Sequence, residues 1–270
     1  VVSEDEANTV MTLLGARAKA VGMTLEDYVE IEGLEMVTAG DGSIDGDLNA
    51  TLDNPLNHKG EGKNKPKAVV LMIHGWASQM DEVGGMYQKL AEQLADQGIA
   101  SLRINIRGES EGEKNQYRLT STFDSRVVDA QIALDYLRQQ FPDKPLGVVG
   151  FSLGGATTLA LVGNNPHAID TVVLWSSAGN PAGLLDSIPA KVVKQALQQG
   201  EAKLPLWIEF TITRQHLTGM LGHDVFSSLE YYRGPLLSIR GSDDYVPAQE
   251  SKIFAHANAS PEEFILISGA

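Results

Sequence analysis

The sequence has 270 residues, of which 43% are hydrophobic and 21% charged. These proportions are ordinary for a globular protein and exclude a disordered or collagen-like chain. Aspartate and glutamate total 35 against 21 lysines and arginines, and the net charge of -14 opposes binding to nucleic acids and anionic membrane surfaces. The absence of cysteine excludes a disulfide framework, a thiolate nucleophile and a cysteine-ligated metal.

The first part of the chain predicts a helix followed by an antiparallel hairpin, within residues 1–54. Residues 4–21 have apolar side chains at helical spacing, and Ser3 with Glu6 forms a capping pattern. Residues 28–36 and 48–52 alternate as strands do, and the cluster at 40–46 predicts the turn between them. A polar, Gly- and Lys-rich surface loop is expected over residues 54–67.

From residue 68 onward, short apolar runs alternate with helical patterns, which is typical of βαβ units on a parallel sheet. The predicted strands are 68–73, 100–104, 146–151, 171–175, 236–239 and 264–267, and the predicted helices are 85–97, 124–141, 153–162 and 248–257. Residues 178–233 interrupt the alternation with a mixed helical, partly aromatic insert. We expect a lid over the carboxyl edge of the sheet, within a single α/β domain of residues 1–270.

Residues 145–169 contain no charged side chain, and the stretch is long enough to raise the question of a membrane span. Five glycines and several hydroxyl residues interrupt it, so we predict a strand, a turn and a buried helix instead. No secretory segment opens the chain, which begins at Val1. We expect a cytoplasmic protein, and a periplasmic or secreted protein whose leader was removed is the alternative.

Ser152 is the predicted nucleophile. It stands in the G-x-S-x-G pattern of Gly150 to Gly154, after a predicted strand and before a predicted helix. A hydroxyl is a poor nucleophile, so it must project from a tight turn toward a base, and small flanking residues allow that turn. A glycine-rich bend with an incidental serine is the structural alternative.

A second turn, of His74, Gly75 and Trp76, follows the strand at 68–73 and should reach the same edge of the sheet. Acyl transfer needs donors for the developing oxyanion, and the backbone N–H groups of Trp76 and Leu153 would form such a pair. We interpret His74 as a structural hydrogen-bonding residue rather than the catalytic base.

These segments, in this order, resemble the α/β-hydrolase superfamily, together with the run from Gly241 to Pro247. Within it, the segment from Asn105 to Gly112 is similar to that of lidded esterases of the feruloyl (cinnamoyl) esterase and dienelactone hydrolase type. The resemblance implies the α/β-hydrolase fold. It also places the acid of the triad on Asp244, with its neighbour Asp243 as the alternative.

The resemblance implies a catalytic histidine directly after the last strand. His256 is the only histidine after Asp244, and its helical context predicts a surface position. The other histidines precede the acid, and surface or lid positions are expected for His58, His167, His216 and His223. We therefore expect the catalytic histidine just beyond Ala270.

The hypothesis is a serine carboxylesterase acting on a small-molecule ester, without metal or organic cofactor. A thioesterase or serine peptidase on the same fold is the alternative, as is a non-catalytic binding protein of this fold. Trp76, Trp175, Trp207 and Phe210 are candidates for a pocket lining and equally for the core.

Overall fold

The computed structural model describes residues 48, 50–53, 66–109, 117–206 and 209–270. The predicted opening helix and the first strand of the predicted hairpin lie outside these residues. In chain order the strands are β1 Ala50–Asp53, β2 Ala68–Ile73, β3 Ile99–Ile104, β4 Tyr117–Leu119, β5 Leu146–Phe151, β6 Thr171–Trp175, β7 Glu201–Pro205, β8 Glu209–Thr213, β9 Leu236–Gly241 and β10 Glu262–Ile267.

The central sheet has seven strands in the order β1-β3-β2-β5-β6-β9-β10. Six of them are parallel, as the βαβ pattern predicts, and β1 pairs antiparallel with β3. The second strand of the predicted hairpin, 48–52, therefore overlaps β1 and joins the main sheet. Because β2 and β5 are neighbours and parallel, the turns that follow them lie side by side at one edge.

The α-helices are α1 Met86–Asp96, α2 Phe123–Gln140, α3 Leu153–Asn164, α4 Ala190–Gln199, α5 Arg214–Thr218 and α6 Glu250–His256. The helix α2 begins with a capping box, in which Thr122 and Ser125 exchange side-chain and backbone hydrogen bonds. Nine of the twelve residues of α3 are buried, which explains why this helix lacks a polar face. The uncharged stretch 145–169 is therefore a strand and a buried helix, as predicted.

Residues 176–235, between β6 and β9, form an insertion that is not purely helical. Besides α4, α5 and the 3₁₀ helices Pro181–Ser187 and Ser227–Tyr231, it contains β7 and β8. These two strands pair with β4 in a second sheet of order β4-β8-β7. The prediction of a mixed helical insert missed this sheet, because β4 comes from a distant part of the chain and the strands are short.

The insertion has its own hydrophobic cluster. Residues 74–78, which form the turn directly after β2 (the 74–78 turn), contribute to it. Phe210 and Leu204 are buried there, together with Ala77 of the turn. Trp76 packs against this cluster and also against the main core beneath the sheet. The turn that follows β2 is thus held between the body of the protein and the insertion.

Candidate active site

Ser152 lies at the sharp turn between β5 and α3. Its backbone has a φ of 51° and a ψ of -118°, which is rare for a residue with a side chain. Its N–H donates to the carbonyl of Trp175 at 3.0 Å, and its own carbonyl accepts from the N–H of Ala178 at 2.9 Å. Strained backbone of this kind persists where the surroundings fix it, and it concentrates at functional sites. The turn has the geometry expected of a nucleophile elbow.

The glycines of the G-x-S-x-G pattern are required by close backbone contacts. A Cβ on Gly154 would lie 2.1 Å from the carbonyl oxygen of Ile73, and one on Gly150 would lie 2.4 Å from the carbonyl oxygen of Gly154. Both distances are far below van der Waals contact. The helix α3 can start directly against the end of β2 only because these positions have no side chain.

The 74–78 turn lies directly beside Ser152. A Cβ on Gly75 would be 3.2 Å from the Cβ of Ser152. Among the described residues, the backbone N–H groups of Trp76 and Leu153 have no acceptor. Leu153 is the first residue of α3, where an N–H has no partner inside the helix. The two predicted oxyanion donors, Trp76 and Leu153, therefore have N–H groups without an acceptor among the described residues, and both lie next to the serine turn.

Two buried carboxylates hold the 74–78 turn. Glu82 accepts from the N–H of Gly75 and from the hydroxyl of Ser78, the latter at 2.9 Å. Glu109 accepts from the N–H of Ala77 at 3.0 Å. Thus the N–H groups on both sides of Trp76 are bound by carboxylates.

The two carboxylates differ in their electrostatic surroundings. Burial raises the pKa of Glu82 above its ordinary value. Burial is the largest single influence on Glu109 and acts to raise its pKa, but the charge and hydrogen bond of the buried Arg126 guanidinium, together with His216 and His74, outweigh burial and lower the pKa to about 2. Glu109 is therefore ionised at neutral pH, in an ion pair whose two side chains have no exposed surface.

Asp244 and Asp243 differ in exposure. The Asp244 side chain is 8% exposed; its Oδ1 accepts from the N–H of Val246 at 2.9 Å. Its Oδ2 is buried, has no hydrogen-bond partner among the described residues, and lies 3.5 Å from the guanidinium of Arg240. Asp243 is exposed, and its carboxylate accepts from the hydroxyl of Ser242 at 3.1 Å. Asp244 thus presents a buried, available carboxylate oxygen, whereas Asp243 faces solvent.

Arg240 fixes the position of the loop that carries Asp244. It is buried, donates to Glu250 at 2.7 Å, and also donates to the carbonyl of Val246. The last described residues lie against the same loop, since the N–H of Asp243 donates to the carbonyl of Ala270 at 2.9 Å. The turn after β10 therefore lies beside the turn after β9.

No histidine of the described residues contacts the Ser152 hydroxyl. His74 is buried; its Nδ1 lies 2.7 Å from the carbonyl of Gly75, and its Nε2 accepts from the N–H of Ile106 at 2.9 Å. Because a carbonyl only accepts, Nδ1 carries the proton and both nitrogens are occupied. Burial, with the charge of Arg126, lowers the pKa of His74 to about 4. His74 is the structural hydrogen-bonding residue that the sequence predicts.

The remaining described histidines lie in different settings. His167 and His256 are exposed, the latter on α6 as predicted. His223 contacts the carbonyl of Gly219 at 3.1 Å. His216 lies in the insertion but is fully buried there, so a surface position is wrong. His58 lies outside the described residues.

The aromatic residues proposed for a pocket lie mainly in packed positions. Phe210 has no exposed surface and stacks on Trp76 with a centroid distance of 6.4 Å. Trp175 packs edge-on against Phe151 at 6.2 Å, and Trp207 lies outside the described residues. Within the part of the chain that the structure describes, no three His, Asp or Glu side chains are grouped to hold a metal.

Comparison with known protein families shows to which family the chain belongs. The family model described as serine aminopeptidase, S33, matches residues 64–242, which is more than half of the chain. The chain belongs to the S33 family. The S33 match contains Ser152 and the 74–78 turn, and Asp244 follows two residues after its end.

Individual relatives match shorter parts of this S33 protein than the family model does. Mouse monoglyceride lipase is 30% identical over 138 residues, which cover 49% of this chain and 43% of the lipase. Human monoglyceride lipase is 28% identical over 113 residues, or 41% of this chain and 35% of the lipase. The chain thus spans less than half the length of these curated relatives.

Among solved structures, Est1E from Butyrivibrio proteoclasticus with bound ferulic acid has a TM-score of 0.62 at 18% identity, covering 82% of this chain and 86% of that one. Dienelactone hydrolase from Anabaena variabilis has a TM-score of 0.54 at 18% identity, with coverage of 83% and 81%. These likenesses show the α/β-hydrolase fold. No helix among the described residues is long and apolar enough to cross a membrane.

Sequence reasoning missed the buried charges around the site. Arg126 was hidden within the predicted helix at 124–141, and only the structure shows its contact with Glu109. Glu109 lies inside the segment from Asn105 to Gly112 that resembles esterases. This resemblance pointed to its position, but nothing in the sequence indicated its role. Glu82 and Arg240 follow no motif.

Proposed function

We propose that this protein is a serine hydrolase that cleaves carboxylic esters through an acyl-enzyme, with Ser152 as nucleophile. The observation that carries the proposal is the strained Ser152 turn, flanked by the N–H groups of Trp76 and Leu153, which have no acceptor among the described residues. The similarity to monoglyceride lipases supports an ester as the substrate.

In the proposed reaction, the Ser152 oxygen attacks the ester carbonyl carbon while a base takes its proton. The carbonyl oxygen becomes an oxyanion, which the N–H groups of Trp76 and Leu153 stabilise. The carbon–oxygen bond to the alcohol breaks, and the alcohol leaves with the proton. Water then attacks the acyl-enzyme by the same route and releases the acid.

Asp244 is proposed as the acid that orients the base. Its buried Oδ2, which has no hydrogen-bond partner in the part of the chain that the structure describes, can accept an imidazole N–H. Asp243, being exposed, is less suited to this role.

The base is a separate proposal. A residue that followed Ala270 would emerge beside the loop of Asp243 and Asp244, because the carbonyl of Ala270 is bonded to the N–H of Asp243. We place the catalytic histidine there. Intact-mass measurement and C-terminal peptide sequencing of the active native protein test this placement, and full activity in a protein that ends at Ala270 would contradict it.

Replacement of Ser152 by alanine tests the nucleophile. In the full-length protein, Ser152→Ala should abolish labelling by a fluorophosphonate and lower kcat on a short nitrophenyl ester by about 10⁴-fold or more. Ser187→Ala is the matched control, because this exposed hydroxyl only donates to the carbonyl of Leu184. Labelling or hydrolysis retained in Ser152→Ala would refute the proposal.

Substrate class is tested with a panel. Medium- and long-chain monoglycerides, feruloyl esters, acyl thioesters and amino-acid anilides represent the four chemistries that this site could serve. We propose simple carboxylic esters, so kcat/KM should be highest for a glyceride or an aryl ester. Preference for the anilide would instead identify a peptidase. A wild-type protein that is never labelled would favour a non-catalytic binding protein.

A further inference from the structure

His216 is the one histidine in the insertion that reaches the 74–78 turn. It lies on α5, has no exposed surface, and its Nε2 is 2.7 Å from the indole Nε1 of Trp76. The two rings are also stacked, with a centroid distance of 6.0 Å and an interplanar angle of 24°. The side chain of Trp76, whose backbone N–H is a predicted oxyanion donor, is therefore bound by the insertion.

The protonation state of His216 follows from its partners. Its Nδ1 lies 2.8 Å from the carbonyl oxygen of Ser121, which can only accept. Nδ1 therefore carries the proton, and Nε2 is left to accept from the indole N–H of Trp76. Burial lowers the pKa of His216, which favours this neutral form. Protonation of Nε2 would remove the acceptor.

The groups that face His216 also hold the other end of the 74–78 turn. The Ser121 hydroxyl lies 3.1 Å from Nδ1 of His216 and donates to Glu109 at 2.6 Å. Glu109 accepts from the N–H of Ala77 and is paired with Arg126. Ala77 has a φ of 52°, a left-handed conformation that is unfavourable for a residue with a side chain and needs support from its surroundings.

We propose that His216 is a positioning residue for ester hydrolysis: through Trp76, and through Ser121 and Glu109, it fixes the 74–78 turn so that the Trp76 N–H faces the oxyanion. This inference rests on the proposed function. The insertion then acts as part of the oxyanion site's support. His216 does not touch the reacting atoms, so its effect should fall on kcat rather than on substrate binding.

The test uses two perturbations of the full-length protein. His216→Phe keeps an aromatic ring against Trp76 but removes the acceptor, and should lower kcat about 10- to 100-fold with KM changed less than about 3-fold, because a displaced oxyanion donor costs rate. Ser121→Ala removes the link to Glu109 with little change in volume and should lower kcat about 3- to 10-fold. If His216→Phe does not fold, Ser121→Ala carries the test.

Rescue and control variants separate positioning from general damage. His216→Gln, whose amide can accept the indole N–H and donate to Ser121, should recover kcat to within about 3-fold of wild type. His223→Phe is the control. His223 is the other histidine of the insertion and also contacts a backbone carbonyl, and its replacement should leave kcat unchanged.

The outcomes distinguish the two proposals. Wild-type kcat in both His216→Phe and Ser121→Ala, with Ser152 still labelled by a fluorophosphonate, would overturn the role of His216 and leave the proposed function standing. So would a loss confined to KM. A wild-type protein that neither hydrolyses esters nor is labelled would overturn both.

Discussion

The buried histidine of the 74–78 turn should make the stability of this protein depend on pH. The pKa of His74 falls from its ordinary 6.5 to about 4 because the ring is buried and lies near Arg126. Between these two pH values the unfolded chain binds a proton that the native protein does not. The contribution of His74 to the free energy of unfolding is therefore complete above pH 6.5 and is lost as the pH falls toward 4.

The size of the effect follows from the same two values. Between pH 7.5 and 5.0, His74 alone should lower the free energy of unfolding by about 2 kcal/mol, and the full loss below pH 4 is about 3 kcal/mol. His74→Gln tests this, since an amide can donate to the carbonyl of Gly75 and accept from Ile106 but does not titrate in this range.

The assay is urea unfolding of wild type and His74→Gln at pH 7.5 and 5.0. The free energy of unfolding of the variant should be lower than that of wild type at pH 7.5. Between pH 7.5 and 5.0, however, it should fall by about 2 kcal/mol less than the wild-type value does. His167→Gln is the control for an exposed histidine and should leave the wild-type difference unchanged. Equal pH dependence in wild type and His74→Gln would refute the reasoning.

Two further pairs of substitutions test the serine turn and the acid. Gly154→Ala places a Cβ 2.1 Å from a backbone oxygen and should destabilise the protein by about 3 kcal/mol or more in urea unfolding, whereas Gly183→Ala, with no atom within 4 Å, should be nearly neutral. Equal stability of the two variants would contradict the packing argument. Asp244→Asn should lower kcat by about 10³- to 10⁴-fold and Asp243→Asn by less than about 3-fold; the reverse order would reassign the acid.

Local patterns in the sequence determined the central sheet. The bounds of β2, β5 and β6 agree with those predicted from their short apolar runs. The G-x-S-x-G pattern likewise predicted the turn at Ser152, because its glycines meet backbone atoms that come from the adjoining strand and helix.

The contacts around the 74–78 turn required the tertiary structure. His216 is distant from Trp76 along the chain, and Arg126 lies on a different element from Glu109. No local pattern in the sequence indicates that a histidine of the insertion contacts an indole. The second sheet was missed for the same reason, since β4 reaches β8 across more than ninety intervening positions. Periodicity records which side of an element is buried; which distant side chain it is buried against is decided when the chain folds.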